Sequence, residues 1–189
     1  MKRVLSLIAL AFGAVLSAHA SESYTMDTLH SIPTFEFSHL GMTTQTGRFD
    51  KAAGTVTLDR VAHKGRVHYE VDATSMNMGF GTETPESPGY HLFEVTKFLT
   101  IVFTSDELFF DDNDNVVAAA GHLTLLGVTK PINIWVSDFK CSINPMNKKH
   151  MCAANITANI RRSEFGMMRF IPAISDEVTI SVPVEAYKD

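Results

Sequence analysis

Few residues in this chain have chemistry to offer, and they are scattered: Asp27, His30, Ser31, His39, His91, Cys141, Cys152 and an acidic run at Asp111-Asp112-Asn113-Asp114. Asp27-x-x-His30 with His39 and His91 is the best candidate metal set. A zinc site needs three or four converging ligands, however, and the chain has no His-x-His or His-Glu-x-x-His pair. His30 and His39 are expected instead to satisfy buried polar groups near a strand end. Copper-type ligands occur at His39 with Met42 and at Met146 with His150 and Met151, at spacings that arise by chance. No metal site is expected, and a secreted metal-binding protein stands as the last of the alternative readings. The acidic run lacks the glutamate of a calcium loop and reads as a turn. Nucleophilic catalysis fares no better: there is no Gly-x-Ser-x-Gly and no glycine-rich phosphate loop, and neither Ser31 nor Ser38 has an identifiable base and orienting acid. The expectation is a protein that is not an enzyme and holds no covalent cofactor.

The N-terminus reads as an address. Lys2 and Arg3 precede an apolar run from Val4 to Leu16, and Ala18-His19-Ala20 offers the small residues a signal peptidase accepts. The run is too short to span a bilayer. Cleavage between Ala20 and Ser21 would divide the chain into a signal peptide, 1–20, and a single mature domain, 21–189, in the periplasm or outside the cell. Of 16 basic and 21 acidic residues the signal takes two basic ones, so the mature chain carries 14 against 21, a net charge of −7. That balance lacks the clustered cations that nucleic acid requires, and it is expected to repel the chain from anionic membrane surfaces.

An oxidising compartment gives the cysteines a role. Cys141 and Cys152 flank a polar loop, 142–150, between two alternating runs. A disulfide across the base of that hairpin would contribute about 3 kcal/mol by limiting the unfolded chain. A redox role would call for Cys-x-x-Cys, which is absent.

The elements that must position these residues are strands. Phe35-Glu36-Phe37-Ser38-His39-Leu40 alternates aromatic and polar, the period of a two-faced strand, with Pro33 just before it. Similar alternation marks Thr55–Asp59, Val67–Ala73, Ile101–Phe103, Ile132–Val136, Ala154–Ile160 and Val178–Val184, with further runs at Val116–Ala120 and His122–Leu126. About eight strands joined by short polar turns argue for an antiparallel barrel or sandwich. Only Thr82–Phe98 breaks the rhythm; Pro85 and Pro88 forbid a long helix there and leave room for one short turn over His91–Phe98. Large inward residues such as Phe35 and Phe37, small ones such as Ala154 and Ala158, and adaptable methionines at 42, 76, 78, 167 and 168 suit either a filled core or a cavity.

Four ordered segments carry a family resemblance. They are Asp27, His30, Ser31, Phe37, His39, Gly41, Gly47 and Phe49 at the start; Phe93-Glu94-Val95-Thr96-Lys97-Phe98 followed by Ile101-x-Phe103; Gly121-His122-Leu123-Thr124-Leu125-Leu126-Gly127-Val128-Thr129-Lys130-Pro131; and Arg162-Ser163-Glu164-Phe165-Gly166-Met167. Together they resemble the YceI-like family of polyisoprenoid-binding proteins. Leu99 stands where that family usually has proline, and the segment before Phe93 is shortened.

The resemblance implies an eight-stranded antiparallel lipocalin-like β-barrel, with a short helical element at one end and a tunnel for a long isoprenoid such as a polyprenyl or ubiquinone-like chain. Burying a dozen carbons would contribute on the order of 10 kcal/mol before ordering costs. Strand parity selects the wall. Phe35, Phe37 and Phe49 come from the opening segment, Val56, Leu58, Tyr69 and Val71 from the next two strands, and Phe103, Ile132 and Ile134 from the middle. Ile156, Ile160, Phe165, Ile180 and Val182 complete it. Asp27, His30, His39 and Arg162 would either meet a head group or brace the barrel.

Three rivals bear comparison. An outer-membrane barrel needs aromatic girdles, and Trp135 with four tyrosines does not supply them. A secreted enzyme needs a convergent titratable site. A carrier of a fatty acid or fatty amide would use the same kind of barrel. A strand edge or loop offers a route to a homodimer, though no residue in the chain specifies one.

Overall fold

The computed structural model describes residues 21–79 and 93–189. Eleven strands form one antiparallel sheet: β1 (Glu22–Met26), β2 (Thr34–His39), β3 (Thr43–Phe49), β4 (Ala52–Asp59), β5 (Lys64–Asp72), β6 (Met76–Asn77), β7 (Thr100–Phe110), β8 (Val116–Leu125), β9 (Val128–Ile143), β10 (His150–Arg161) and β11 (Ile174–Lys188). Eight of them close a ring in the order β1-β4-β5-β7-β8-β9-β10-β11, with β11 returning to β1 at Tyr24↔Lys188 and Met26↔Ala186. Closure abolishes the exposed edges an open sheet would carry.

The remaining strands form a flap. β1 is short and pairs with β4 only as far as Thr25↔Thr55. The N-terminal half of β11 therefore pairs with β2, through Val178↔Phe37 and Ile180↔Phe35, and β3 and β6 follow. The Phe35 strand thus lies in this extension, and its expected place in the ring belongs to β1. Gly47 faces Phe35 across the β2–β3 ladder, where a Cβ would come within 2.3 Å of the ring. Only glycine lets the aromatic lie flat across that strand.

Ser31 fills the gap between the two β11 pairings. Its hydroxyl donates to the Glu185 carbonyl and accepts the Glu185 N–H, both at 3.1 Å. A buried side chain thereby stands in for a missing ladder strand.

At one end of the barrel, here the loop end, lie the β2–β3 hairpin tip, the turn at 94–97, the β8–β9 turn and the 162–173 connection. The opposite end holds the disulfide. Of the helical element expected over His91–Phe98, His91 and Leu92 fall outside the described residues. From Glu94 onward the chain makes a turn closed by Lys97 and Phe98 N–H groups on the Glu94 carbonyl. The helical elements with given bounds among the described residues are two short 3-10 turns, Ala73–Ser75 and Arg162–Phe165. Val116–Ala120 and His122–Leu126, read separately from the sequence, form the single strand β8 with Gly121 inside it. A Cβ on Gly121 would meet the Thr104 carbonyl at 2.3 Å, so this close approach needs glycine.

Candidate functional site

The inner faces of the ring strands enclose an apolar cavity of about 250 Å³. β4 and β5 contribute Val56, Leu58, Tyr69 and Val71; β9 to β11 contribute Ile132, Ile134, Ile156, Ile160, Ile180 and Val182. The flap end is walled by phenylalanines. Phe35 lies 5.5 Å from Phe49 and 6.0 Å from Phe93 between ring centroids, and Phe49 meets Phe93 edge-on at 5.3 Å. Phe37 stacks 6.3 Å from Phe35. Such offset and edge contacts suit the ring quadrupoles. Phe103 also borders the cavity, so the parity-selected residues converge on it with one exception.

That exception is Phe165. It is 1% exposed, yet it sits in the 3-10 turn after β10 and packs in the core instead of bordering the cavity. The turn reverses the alternation that strand parity assumes.

Parity also misses part of the wall. β-bulges interrupt β7 between Ser105 and Glu107, the β7–β8 pairing at Phe109 and Phe110, and β9 opposite Ala153 and Asn155. Each adds a residue on one strand and switches the faces beyond it. Ile101 and Phe103 point inward before the first bulge and Leu108 after it. Ile132, Ile134 and Val136 point inward before the β9 bulge and Phe139 after it. The left-handed backbone of Asp138 (φ 55°) marks that switch. β1 adds Tyr24 and Met26, from a five-residue run whose alternation was legible but short.

Outside, β10 and β11 are polar, with Asn155, Thr157, Asn159 and Arg161 on the first and Glu177, Thr179, Ser181 and Glu185 on the second, while Phe109, Val117, Trp135 and Ile143 are exposed on β7 to β9. On β10 and β11 this is the reverse of the apolar-out pattern of a membrane-spanning barrel. Among the described residues no helix is long and apolar enough to cross a membrane.

The polar groups nearest the wall are committed to the scaffold. The Tyr24 hydroxyl donates to Glu22 at 2.6 Å; burial, helped by that bond, pushes its pKa up to about 12. The Tyr69 hydroxyl donates to the Ser31 carbonyl at 2.7 Å, and burial raises its pKa as well.

Arg162, 3% exposed, spends its guanidinium on four backbone carbonyls. Nε donates to Ser175 (2.8 Å), Nη1 to Met167 (2.7 Å) and Arg169 (2.9 Å), and Nη2 to Ile174 (2.9 Å). Burial pulls its pKa below the usual arginine value. The side chain borders the cavity and ties down the 167–175 segment, whose Met167 and Ile174 help to line it. Asp176 secures the same corner by accepting the Ser163 N–H at 2.8 Å and hydroxyl at 2.7 Å, which lowers its pKa.

Asp27, His30 and His39 lie away from the cavity. Asp27 Oδ1 accepts the Leu29 N–H at 2.8 Å while Oδ2 faces His30 Nδ1 at 3.1 Å. The bond to His30 lowers Asp27, and the bond to Asp27 raises His30. His30 and His39 are exposed, contrary to the expectation that they satisfy buried groups; that work falls to Ser31. Ligand-type atoms of Asp27, His30 and Glu185 lie within 4.8 Å of one another, but His30 is already paired with Asp27. The acidic run 111–114 is a turn, with Asp111 Oδ1 accepting N–H groups from Asn113 and Asn115. Leu99, in the place of the family's proline, is exposed and offers its carbonyl to the Ala73 N–H at 2.9 Å, a bond that needs no N–H of its own.

Cys141 and Cys152 stand directly opposite each other on β9 and β10 and form a disulfide. Cys152 borders the cavity at this end.

Comparison with known proteins places this barrel. A UPF0312 protein of Vibrio vulnificus (strain YJ016) is 32% identical over 131 residues, covering 67% of this chain and 68% of its own. A UPF0312 protein of Yersinia pestis (strain Pestoides F) is 26% identical over 182 residues, covering 96% and 93%. Among solved structures, Burkholderia cenocepacia BcnA superimposes with a TM-score of 0.69 at 18% identity, over 85% of this chain and 98% of that one. A polyisoprenoid binding domain from Saccharophagus degradans gives 0.60 at 16% identity, over 89% and 99%. These superpositions establish likeness of fold. Residues 24–186, nearly the whole of the described barrel, match the model of the YceI-like domain, and the chain belongs to that family.

Proposed function

We propose that the chain is a lipid-binding protein that sequesters the apolar chain of an isoprenoid, carrying its cargo without transforming it. The carbon-walled cavity inside the closed strand ring is the observation that carries this reading. The structurally similar Saccharophagus degradans domain, described as polyisoprenoid binding, supports it. The polar atoms of Tyr24, Tyr69 and Arg162 are engaged with the scaffold, so the wall selects by length and shape and leaves the head group near an end.

Volume sharpens the cargo. A 150 Å³ cavity holds one benzene, roughly 25 Å³ per carbon. On that scale 250 Å³ holds about ten carbons, or two isoprene units. A longer isoprenoid requires the flap end to widen or part of the chain to protrude. The same volume favours, as a second reading, the tail of a fatty acid or fatty amide.

The signal peptide, cleaved between Ala20 and Ser21, would deliver the domain 21–189 to the periplasm or beyond. The disulfide and the polar outer face of β10 and β11 suit that compartment. β1 begins at Glu22, so this cut removes no barrel residue.

The test is to recover the protein from a detergent-free periplasmic fraction, sequence its N-terminus, extract it with organic solvent and weigh the released molecules by mass spectrometry. An isoprenoid is the expected product, and fatty acyl masses would transfer the assignment to the second reading. Recovery of no apolar molecule, even after incubation with a lipid extract, refutes carriage.

A further inference from the structure

At the loop end, two adjoining segments present large apolar side chains to water. Leu40 (58% exposed) and Met42 (79%) cap the β2–β3 hairpin, and Met168 (62%) and Phe170 (47%) project from the 166–173 connection. These segments are neighbours: the Leu40 N–H donates to the Ala173 carbonyl at 2.6 Å, and the Ile174 N–H to the Phe170 carbonyl at 2.8 Å.

Backbone conformation adds an independent observation. Leu40 (φ 55°) and Phe170 (φ 64°) are both left-handed, a conformation unfavourable for bulky residues and ordinary for Asn or Gly. At the disulfide end the left-handed positions are His63, Asp114 and Lys148, all polar. The exposed apolar residues there, Val61, Phe109, Val117, Ile143 and Met146, lie on strand ends and turns, and none has a left-handed backbone. The loop end thus holds three bulky apolar residues in left-handed backbone, Leu40, Phe170 and the half-buried Leu126 (φ 51°), and leaves Leu40 and Phe170 in water, and such strain points to use.

Although the mature chain carries a net charge of −7 and Glu94 and Glu164 stand exposed on the same turns, cations sit directly against the apolar tips. The Arg169 guanidinium lies 4.9 Å from the Phe170 ring, and Lys97 lies 4.7 Å from the Phe98 ring at the same end. Apolar tips beside long cationic side chains match a bilayer interface, where tips enter the acyl boundary and cations meet headgroup phosphates.

We propose that this rim, Leu40 and Met42 with Met168, Arg169 and Phe170, docks the barrel on an anionic lipid bilayer. Docking sets the 167–174 segment against the membrane, and Met167 and Ile174 of that segment line the cavity. Lipid tails then reach the interior with little exposure to water. The surface goes beyond the carrier reading and is tested without any cargo.

The experiment is co-sedimentation of the mature chain with vesicles of phosphatidylglycerol and phosphatidylethanolamine, compared with phosphatidylcholine alone. The informative variant joins Leu40→Asn to Phe170→Asn, because asparagine accepts the left-handed backbone. It is expected to melt at or above the wild-type temperature while losing at least about tenfold in vesicle partitioning. Arg169→Gln with Lys97→Gln should remove the preference for anionic vesicles, and Val61→Asn with Met146→Ser should partition as wild type. Failure of the wild-type chain to partition into any vesicle overturns the proposal. So does wild-type partitioning by the folded Asn variant, or a concentration-dependent dimer that this variant abolishes, which would make the rim a self-association face.

Discussion

Replacing Ala158 by phenylalanine puts six ring carbons into the cavity at a position where the backbone has no reason to move. Ala158 is buried on β10 between the inward-facing Ile156 and Ile160, with Ile180 opposite on β11. At roughly 25 Å³ per carbon the ring occupies about 150 Å³ and leaves room for about four carbons. A ligand deprived of six buried carbons loses about 5 kcal/mol at ~0.8 kcal/mol each, more than a thousandfold in affinity. Folding should not suffer, because filling an apolar void gains up to about 3 kcal/mol before any strain is subtracted. The assay pairs displacement of an environment-sensitive apolar dye with thermal melting. Thr157→Phe, one residue along and on the outer face, is the control that should bind as wild type. If Ala158→Phe melts no lower than wild type and still binds as tightly, the cavity is not the lipid site.

Three further outcomes follow from the scaffold. Cys141→Ser with Cys152→Ser should cost about 3 kcal/mol in chemical denaturation, the loop-closure value, and an unchanged midpoint would show that the hairpin is held otherwise. Arg162→Ala strands the carbonyls of Met167, Arg169, Ile174 and Ser175 and should cost about 3–5 kcal/mol, with faster amide exchange across 167–175. Unaltered exchange there would refute the bracing role. For His30→Ala the pH window is set by the Asp27 pair. The raised His30 contributes fully below its ordinary 6.5 and loses its contribution as pH rises through the folded-state value. The lowered Asp27 contributes fully above its ordinary 3.8 and loses its contribution as pH falls through its own. The melting-temperature deficit of the variant should therefore be largest between those pH values and shrink in alkali; a deficit independent of pH would mean the ion pair is not its source.

How much was legible depends on the strand. On β4, β5, β10 and β11 the two-residue period runs uninterrupted past the candidate positions, and Val56, Leu58, Tyr69, Val71, Ile156, Ile160, Ile180 and Val182 all reach the cavity. Beyond the bulges of β7 and β9 the same rule points outward, and Leu108 and Phe139 escape it. Phe165 fails for a related reason, since a 3-10 turn does not alternate. The histidines of the opening motif drew attention because they titrate, whereas Ser31, the silent member, carries the structural work.

The sequence by itself determined an all-β chain of barrel or sandwich type, the inward faces of its regular strands, a paired cysteine hairpin and, through four ordered motifs, the resemblance that implied a barrel. These follow from side-chain period and local spacing, which a linear chain records directly. Only the tertiary structure decided that the Phe35 strand belongs to a flap, that Arg162 braces a closing segment, and that the ring leaves a cavity of about 250 Å³. Strand order, bulge position and enclosed volume depend on residues more than a hundred positions apart meeting in register, as Phe35 meets Ile180, and no local pattern encodes that meeting.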